Sequence, residues 1–168
     1  LDELITELGI LRARICGVGV VLSAKVDPQT GAILHSDYFG WKEDGGTFSD
    51  CVRTALNLPV SIRNIADAIA VSEIQYGVAR GVNNLVLIHT ASLTGASIIS
   101  NGEVLLGHDG FAGRVGHLAY KAKDFNCVCG RNDCLNLSSS GFAILKQLGL
   151  TDDDQFQAAH IEDYAKML

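Results

Sequence analysis

Apolar residues along this chain recur with two different periods, and the two periods alternate. Leu4, Ile5, Leu8, Leu11 and Ile15 are spaced three or four apart, which predicts a helix over residues 1–14. Residues 15–24 (ICGVGVVLSA) are rich in Val and Gly and read as a buried strand. Asp27, Pro28 and Gly31 then supply a chain reversal. A short helix is predicted over residues 47–57, with Thr47 or Ser49 as its cap, followed by a strand over 58–63 and an amphipathic helix over 65–79. Residues 84–90 (NLVLIHT) and 94–100 (TGASIIS) read as two strands. Asn101-Gly102 is a hairpin signal leading into a third strand over 103–106. After a long loop, two helices are predicted near 135–148 and 153–167. Thr151 and the acids Asp152, Asp153 and Asp154 sit where the dipole of the second favours them. With no repeat, low-complexity tract or linker in view, the pattern predicts one α/β unit.

Composition narrows this picture. Of 168 residues, 48% are hydrophobic and 19% charged, enough apolar surface for a core and too little charge for a disordered chain. A net charge of -6 argues against a nucleic-acid surface within these residues, since such surfaces carry a basic stripe. No apolar run approaches the roughly 20 residues of a membrane helix, and the expectation is a cytoplasmic protein without membrane contact. The opening Leu1-Asp2-Glu3, lacking an initiator Met, reads as a piece of a longer protein.

The sharpest chemical signal lies in the loop. His117, Cys127, Cys129 and Cys134 follow the spacing His-x9-Cys-x-Cys-x4-Cys. One imidazole and three thiolates complete a tetrahedral zinc site with no position left for water, which makes the expected Zn2+ structural rather than catalytic. A disulfide with a spare thiol is the competing reading, and the odd total of five cysteines and the single residue between Cys127 and Cys129 count against it. Cys16 and Cys51, isolated among apolar neighbours, read as small buried hydrophobes. His35, His89, His108 and His160 have no partners at ligand spacing and read as structural.

The segment GHDGFAGRVGH over residues 107–117, followed by Cys-x-Cys-Gly-x3-Cys, resembles the signature of the ROK family of repressors, uncharacterised reading frames and sugar kinases. The resemblance extends over most of the chain, through GVGVVLSAKVDPQTG, LPVSIRNIADAIAVSE and LVLIHTASLTGASIISNGEVLLG. It implies part of an actin-like ATPase (ribonuclease H-like, ASKHA) fold carrying a structural zinc loop. It also implies that residues 1–168 are a fragment of a ROK domain. The first phosphate-binding loop, the end of the fold and any helix-turn-helix would then lie outside it.

Departures from the family pattern bear on chemistry. The family's general base is an Asp after the Asn at the strand end; here Asn64 is followed by Ile65, which cannot take a proton. Asp67, two residues on, is about 200° around the helix axis and reads as a solvated or capping residue. The family's phosphate-approaching Gly-Thr-Gly is Ala91-Ser92-Leu93, and two sugar-binding carboxylates are Arg114 and Asn136. The resemblance implies that His117 binds the metal through one ring nitrogen and faces the sugar with the other. Glu73 resembles a structural helix residue. Asn64 reads equally as a helix cap or a ligand contact, and Arg114 as an ion-paired surface residue or an anion receptor.

Together these imply no catalytic residue and a ligand set of Asn64, Arg114, His117 and Asn136. The expected function is the effector-binding and oligomerisation domain of a ROK-type transcriptional regulator, inactive as a kinase. Its effector would be a sugar, sugar phosphate or sugar acid, its assembly a homodimer or tetramer, and its DNA contact made by a segment outside this chain. An active ATP-dependent hexose kinase and a zinc-stapled protein-interaction module are the alternatives.

Overall fold

A computed structural model describes residues 2–27, 29–42 and 47–150. It divides into two compact units, Leu1–Ala68 and Ile69–Leu168, and the boundary falls inside a helix, where composition could not mark it.

In the first unit, α1 (Asp2–Glu7) is shorter than the predicted 14-residue helix. Gly9 takes φ +63° and closes the helix in a left-handed turn, leaving Arg12–Arg14 as one 3-10 turn. The predicted buried strand is β1 (Val18–Leu22), and it is half-exposed, with Gly19 and Val21 facing outward. A bend follows, then β2 (Lys25–Val26) pairs antiparallel with β3 (Ile33–His35), neither strand having been predicted. The turn between them is held as expected: the Asp27 carboxylate accepts the Gln29 N–H at 2.8 Å, and Gly31 (φ +75°) donates to the Asp27 carbonyl.

The predicted helix at 47–57 is α2 (Thr47–Leu56), ended by Asn57 at φ 49°. Ser49 lies inside it and receives the Arg53 guanidinium at 3.3 Å, so it is not the cap. β4 (Val60–Asn64) runs parallel to β1, with Val18 opposite Val60 and Leu22 opposite Asn64. Ile33 and Ile62, both fully buried, centre this unit's core.

α3 (Ile65–Gln75) starts directly from β4. It stops four residues earlier than predicted because the Glu73 carboxylate turns back to accept the Val78 N–H at 3.0 Å. That gives Glu73 the structural role expected of it.

In the second unit, β5 (Leu85–Thr90), β6 (Thr94–Ser100) and β7 (Glu103–Val104) form an antiparallel meander. Asn101 and Gly102 both take positive φ, the two-residue hairpin their sequence predicts. The predicted helix at 135–148 is two: α4 (Asn136–Ser139) and α5 (Gly141–Leu148). Ser140 is extended, accepts the Ala143 N–H and caps α5, so its preference for a cap overrides the continuous apolar pattern. Gly149 at φ +71° closes α5. The helix predicted at 153–167 lies outside the described residues. Among the described residues no helix is long and apolar enough to cross a membrane.

Candidate metal centre

Four side chains far apart in the loop meet at one point. The His117, Cys127, Cys129 and Cys134 ligand atoms all lie within 4.8 Å of one another. His117 presents Nδ1 to Cys127 Sγ at 3.7 Å, and Cys129 and Cys134 bring their sulfurs to 3.5 Å. A tetrahedron with bonds of about 2.3 Å to sulfur and 2.0 Å to nitrogen has edges of roughly 3.5–3.8 Å; the His117–Cys127 and Cys129–Cys134 separations match such an edge, and the whole set spans up to 4.8 Å.

The backbone brings them there in three steps. His117 ends a 3-10 turn (Val115–His117). Residues 118–123 then run antiparallel to 132–135, through Tyr120 N–H to the Asp133 carbonyl at 2.7 Å and Leu135 N–H to the Leu118 carbonyl at 2.9 Å. At the tip, Gly130 (φ +91°) donates to the Cys127 carbonyl and allows the tight turn that turns Cys129 toward Cys134. Cys127 and Cys134 are buried with Leu137, and Phe125 packs against them. Lys146 of α5 lies 4.4 Å over the Phe125 ring and holds the loop on that helix.

Electrostatics favour a cation at this point. Burial, followed by the neighbouring sulfurs of Cys129 and Cys127, pushes the Cys134 thiol up to about 12. A dication bound at this point would favour the Cys134 thiolate and offset the cost of its ionisation. Arg131 stands at the rim. It pairs bidentately with Asp133 at 2.9 Å for both bonds and donates to the His117 carbonyl at 3.3 Å. The Arg131 bond holds the Asp133 carboxyl below its ordinary range.

The predicted ligand-binding residues are placed as follows. Asn136 is 2% exposed; its Oδ1 accepts the Thr94 N–H at 2.7 Å and its Nδ2 points at Cys127 Sγ, 3.9 Å away. Arg114 begins the 3-10 turn that ends at His117, with its guanidinium 4.8 Å over the Phe111 ring. Asn64 belongs to the first unit, where its Oδ1 caps α3 through the Ala66 N–H and its Nδ2 donates to the Ala24 carbonyl, each at 2.9 Å.

One expectation about isolated residues is corrected. Cys16 and Cys51 are exposed rather than buried, because Cys16 precedes β1 in open chain and Cys51 lies on the outer face of α2. His35 makes a local hydrogen bond, its Nε2 2.8 Å from Asp37 Oδ1, and is not part of the metal-ligand cluster. Thr94, Ser139 and Arg131, which brace the cluster, were not singled out in the sequence. Thr94 is 42 positions from Asn136, and no local spacing signals such a bond.

Comparison with known proteins places this geometry in context. Residues 1–167 match the ROK family. The chain is 29% identical over 151 residues to a glucokinase of Halalkalibacterium halodurans, covering 88% of this chain and 45% of that protein. It is 28% identical over 155 residues to a xylose repressor of Bacillus spizizenii, covering 89% and 39%. A solved ROK family transcriptional regulator, a homolog of the E. coli MLC protein, superposes with a TM-score of 0.69 at 27% identity, covering 88% of this chain and 37% of that one. The chain thus spans less than half the length of each, and its relatives include both repressors and sugar kinases.

Proposed function

This chain belongs to the ROK family, with its α/β actin-like ATPase fold, and from that premise we propose that it is the effector-binding and assembly part of a transcriptional regulator without kinase activity. The observation that carries the reading is Ile65. It begins α3 directly after Asn64, where phosphate transfer to a sugar hydroxyl needs a proton acceptor, and its side chain has none. The turn at residues 91–93 adds support. A phosphate cradle needs convergent backbone N–H groups, whereas the Ala91 N–H is bonded to the Leu93 carbonyl and the Thr94 N–H to Asn136.

The His117, Cys127, Cys129 and Cys134 set is proposed to hold one zinc ion. The metal fills all its positions with protein atoms, so it supplies structure and not catalysis. Structural zinc contributes about 10–16 kcal/mol in small peptides, as much as an ordinary domain's whole stability of about 5–15 kcal/mol. The ion therefore decides whether this loop is ordered.

Arg114 and His117 are proposed to face the effector. With a cation where family sugar sites have a carboxylate, the favoured effector is a sugar acid or sugar phosphate, met by charge-assisted hydrogen bonds. Asn64, which belongs to the first unit, is proposed separately as a ligand contact. Assembly as a homodimer or tetramer, and DNA contact through a segment outside these residues, follow from the regulator reading.

The similarity to a glucokinase favours one rival, an active hexose kinase. One experiment separates them. Full-length protein is assayed for ADP release with a panel of hexoses, and in parallel for retardation of DNA from its own upstream region. Salt-sensitive DNA retardation without sugar-dependent ADP release is expected. Turnover on any hexose above a no-sugar control would overturn the regulator reading.

A further inference from the structure

Asn136 stands between two features that the sequence keeps far apart. One is the thiolate cluster, toward which its Nδ2 points at 3.9 Å from Cys127 Sγ, the long limit for a sulfur acceptor. The other is the start of β6, whose Thr94 N–H its Oδ1 accepts at 2.7 Å. The same turn is tied twice more to the helices that follow Cys134. Thr94 Oγ1 lies 2.9 Å from Ser139 Oγ, and Gly141 donates its N–H to the Ala91 carbonyl at 2.6 Å. The fit leaves no slack. A side chain at Gly116, one residue before His117, would overlap both the Thr94 carbonyl and the Asn136 amide.

The chemistry of an amide suits this place. It donates to a sulfur that is thiolate when metal is bound and accepts from a backbone N–H at its other end. A carboxylate could do only the second, and would add negative charge beside three sulfurs.

We propose that Asn136 is a positioning residue that couples metal occupancy of the cluster to the conformation of the β5–β6 turn, residues 91–94. With metal bound, Cys127 and Cys134 fix the start of α4, and Asn136, Ser139 and Gly141 hold the turn in its closed, internally bonded form. Without it, α4 loses its anchor, and the bonds to Ala91 and Thr94 open together. This inference rests on the metal reading above and is independent of the choice between regulator and kinase.

The test is hydrogen exchange on the full-length protein, with zinc content measured first. In zinc-loaded protein, the Thr94 and Gly141 amides are slow. Stripping the metal with a chelator should speed both by on the order of tenfold while the β5–β6 ladder stays protected. Asn136→Asp keeps the acceptor but loses the donor, so it should release zinc at about 10- to 100-fold lower chelator concentration. It should still protect Thr94 when loaded. Asn136→Leu loses both bonds and should leave Thr94 fast-exchanging even with zinc bound. If Asn136→Leu does not fold, the wild-type and Asn136→Asp measurements still decide. A zinc content near zero would overturn the metal reading and this proposal together. One zinc per chain with Thr94 and Gly141 exchange unchanged on stripping would overturn this proposal alone, as would Asn136→Asp holding zinc as tightly as wild type.

Discussion

Asn64 shows how one side chain carries a structural role whatever else it does. Its carbonyl oxygen caps α3 at the Ala66 N–H, and its amide ties the end of β4 to Ala24. Asn64→Ala removes both and should cost about 1–2 kcal/mol in denaturant unfolding. Asn64→Asp retains the cap and should recover roughly half of that loss. A cost near zero for Asn64→Ala would mean the cap is replaced by water. Cysteine behaviour makes a second case at this scale. A local apolar neighbourhood in sequence predicted burial for Cys16 and Cys51, but which face of α2 or which end of a strand a residue occupies is set by tertiary packing. Both are exposed, whereas Cys127 and Cys134 are buried in the cluster. A thiol reagent of modest size should therefore modify two cysteines rapidly in the native zinc-loaded protein, and the remaining three only after chelation. Protection of Cys51 in that experiment would contradict its placement on the outer face of α2.

Elements were legible where one local signal sufficed and illegible where a distant contact decided. The Asn101-Gly102 hairpin, the strand that ends at Asn64 and the metal loop follow from turn chemistry, apolar runs and ligand spacing. The break at Ser140 and the early stops at Gly9 and Glu73 follow from caps that compete with a helical apolar pattern. Missed altogether were β2 and β3, two and three residues long and paired with each other across a bulge. The glycines around the metal loop divide by the same logic. Gly113 (φ +81°) would meet the Ala96 carbonyl with any side chain, and Gly116 the Thr94 carbonyl, because the 3-10 turn packs directly on β6. Gly130 (φ +91°) faces open space. Gly116→Ala should therefore destabilise the zinc-loaded protein by about 1–3 kcal/mol through overpacking against fixed backbone. Gly130→Ala should cost only the left-handed conformation, about 1–2 kcal/mol, and should leave the Thr94 amide protected. Equal loss of Thr94 protection in the two variants would show that the 3-10 turn is not in rigid contact with β6.

At the scale of the whole molecule, the α/β class was legible in the alternating periods and the metal set in ligand spacing, while the actin-like fold was implied only by the family resemblance. The role was less so, because the relatives on this scaffold include both repressors and sugar kinases. Ile65 carries the proposed reading, and it invites a direct test of whether one residue accounts for the proposed lack of catalysis. Ile65→Asp would restore a carboxylate at the start of α3, where the helix dipole also favours it, so the variant should fold. It should nevertheless remain inactive toward hexoses. General base catalysis supplies about 10²–10⁴-fold, and a base alone neither opens the internally bonded turn at residues 91–93 nor supplies the sugar-binding acids that the family resemblance implies at the positions of Arg114 and Asn136. Steady-state ADP release by full-length wild type and Ile65→Asp, at saturating ATP and with neutral hexoses, is the measurement. Equal background rates for both are expected. Activity appearing in Ile65→Asp alone would mean that the nucleotide and sugar sites are intact and that this chain is a kinase silenced at one position. The turn at residues 91–93 would then have to open for phosphate, contrary to the bonds that close it here.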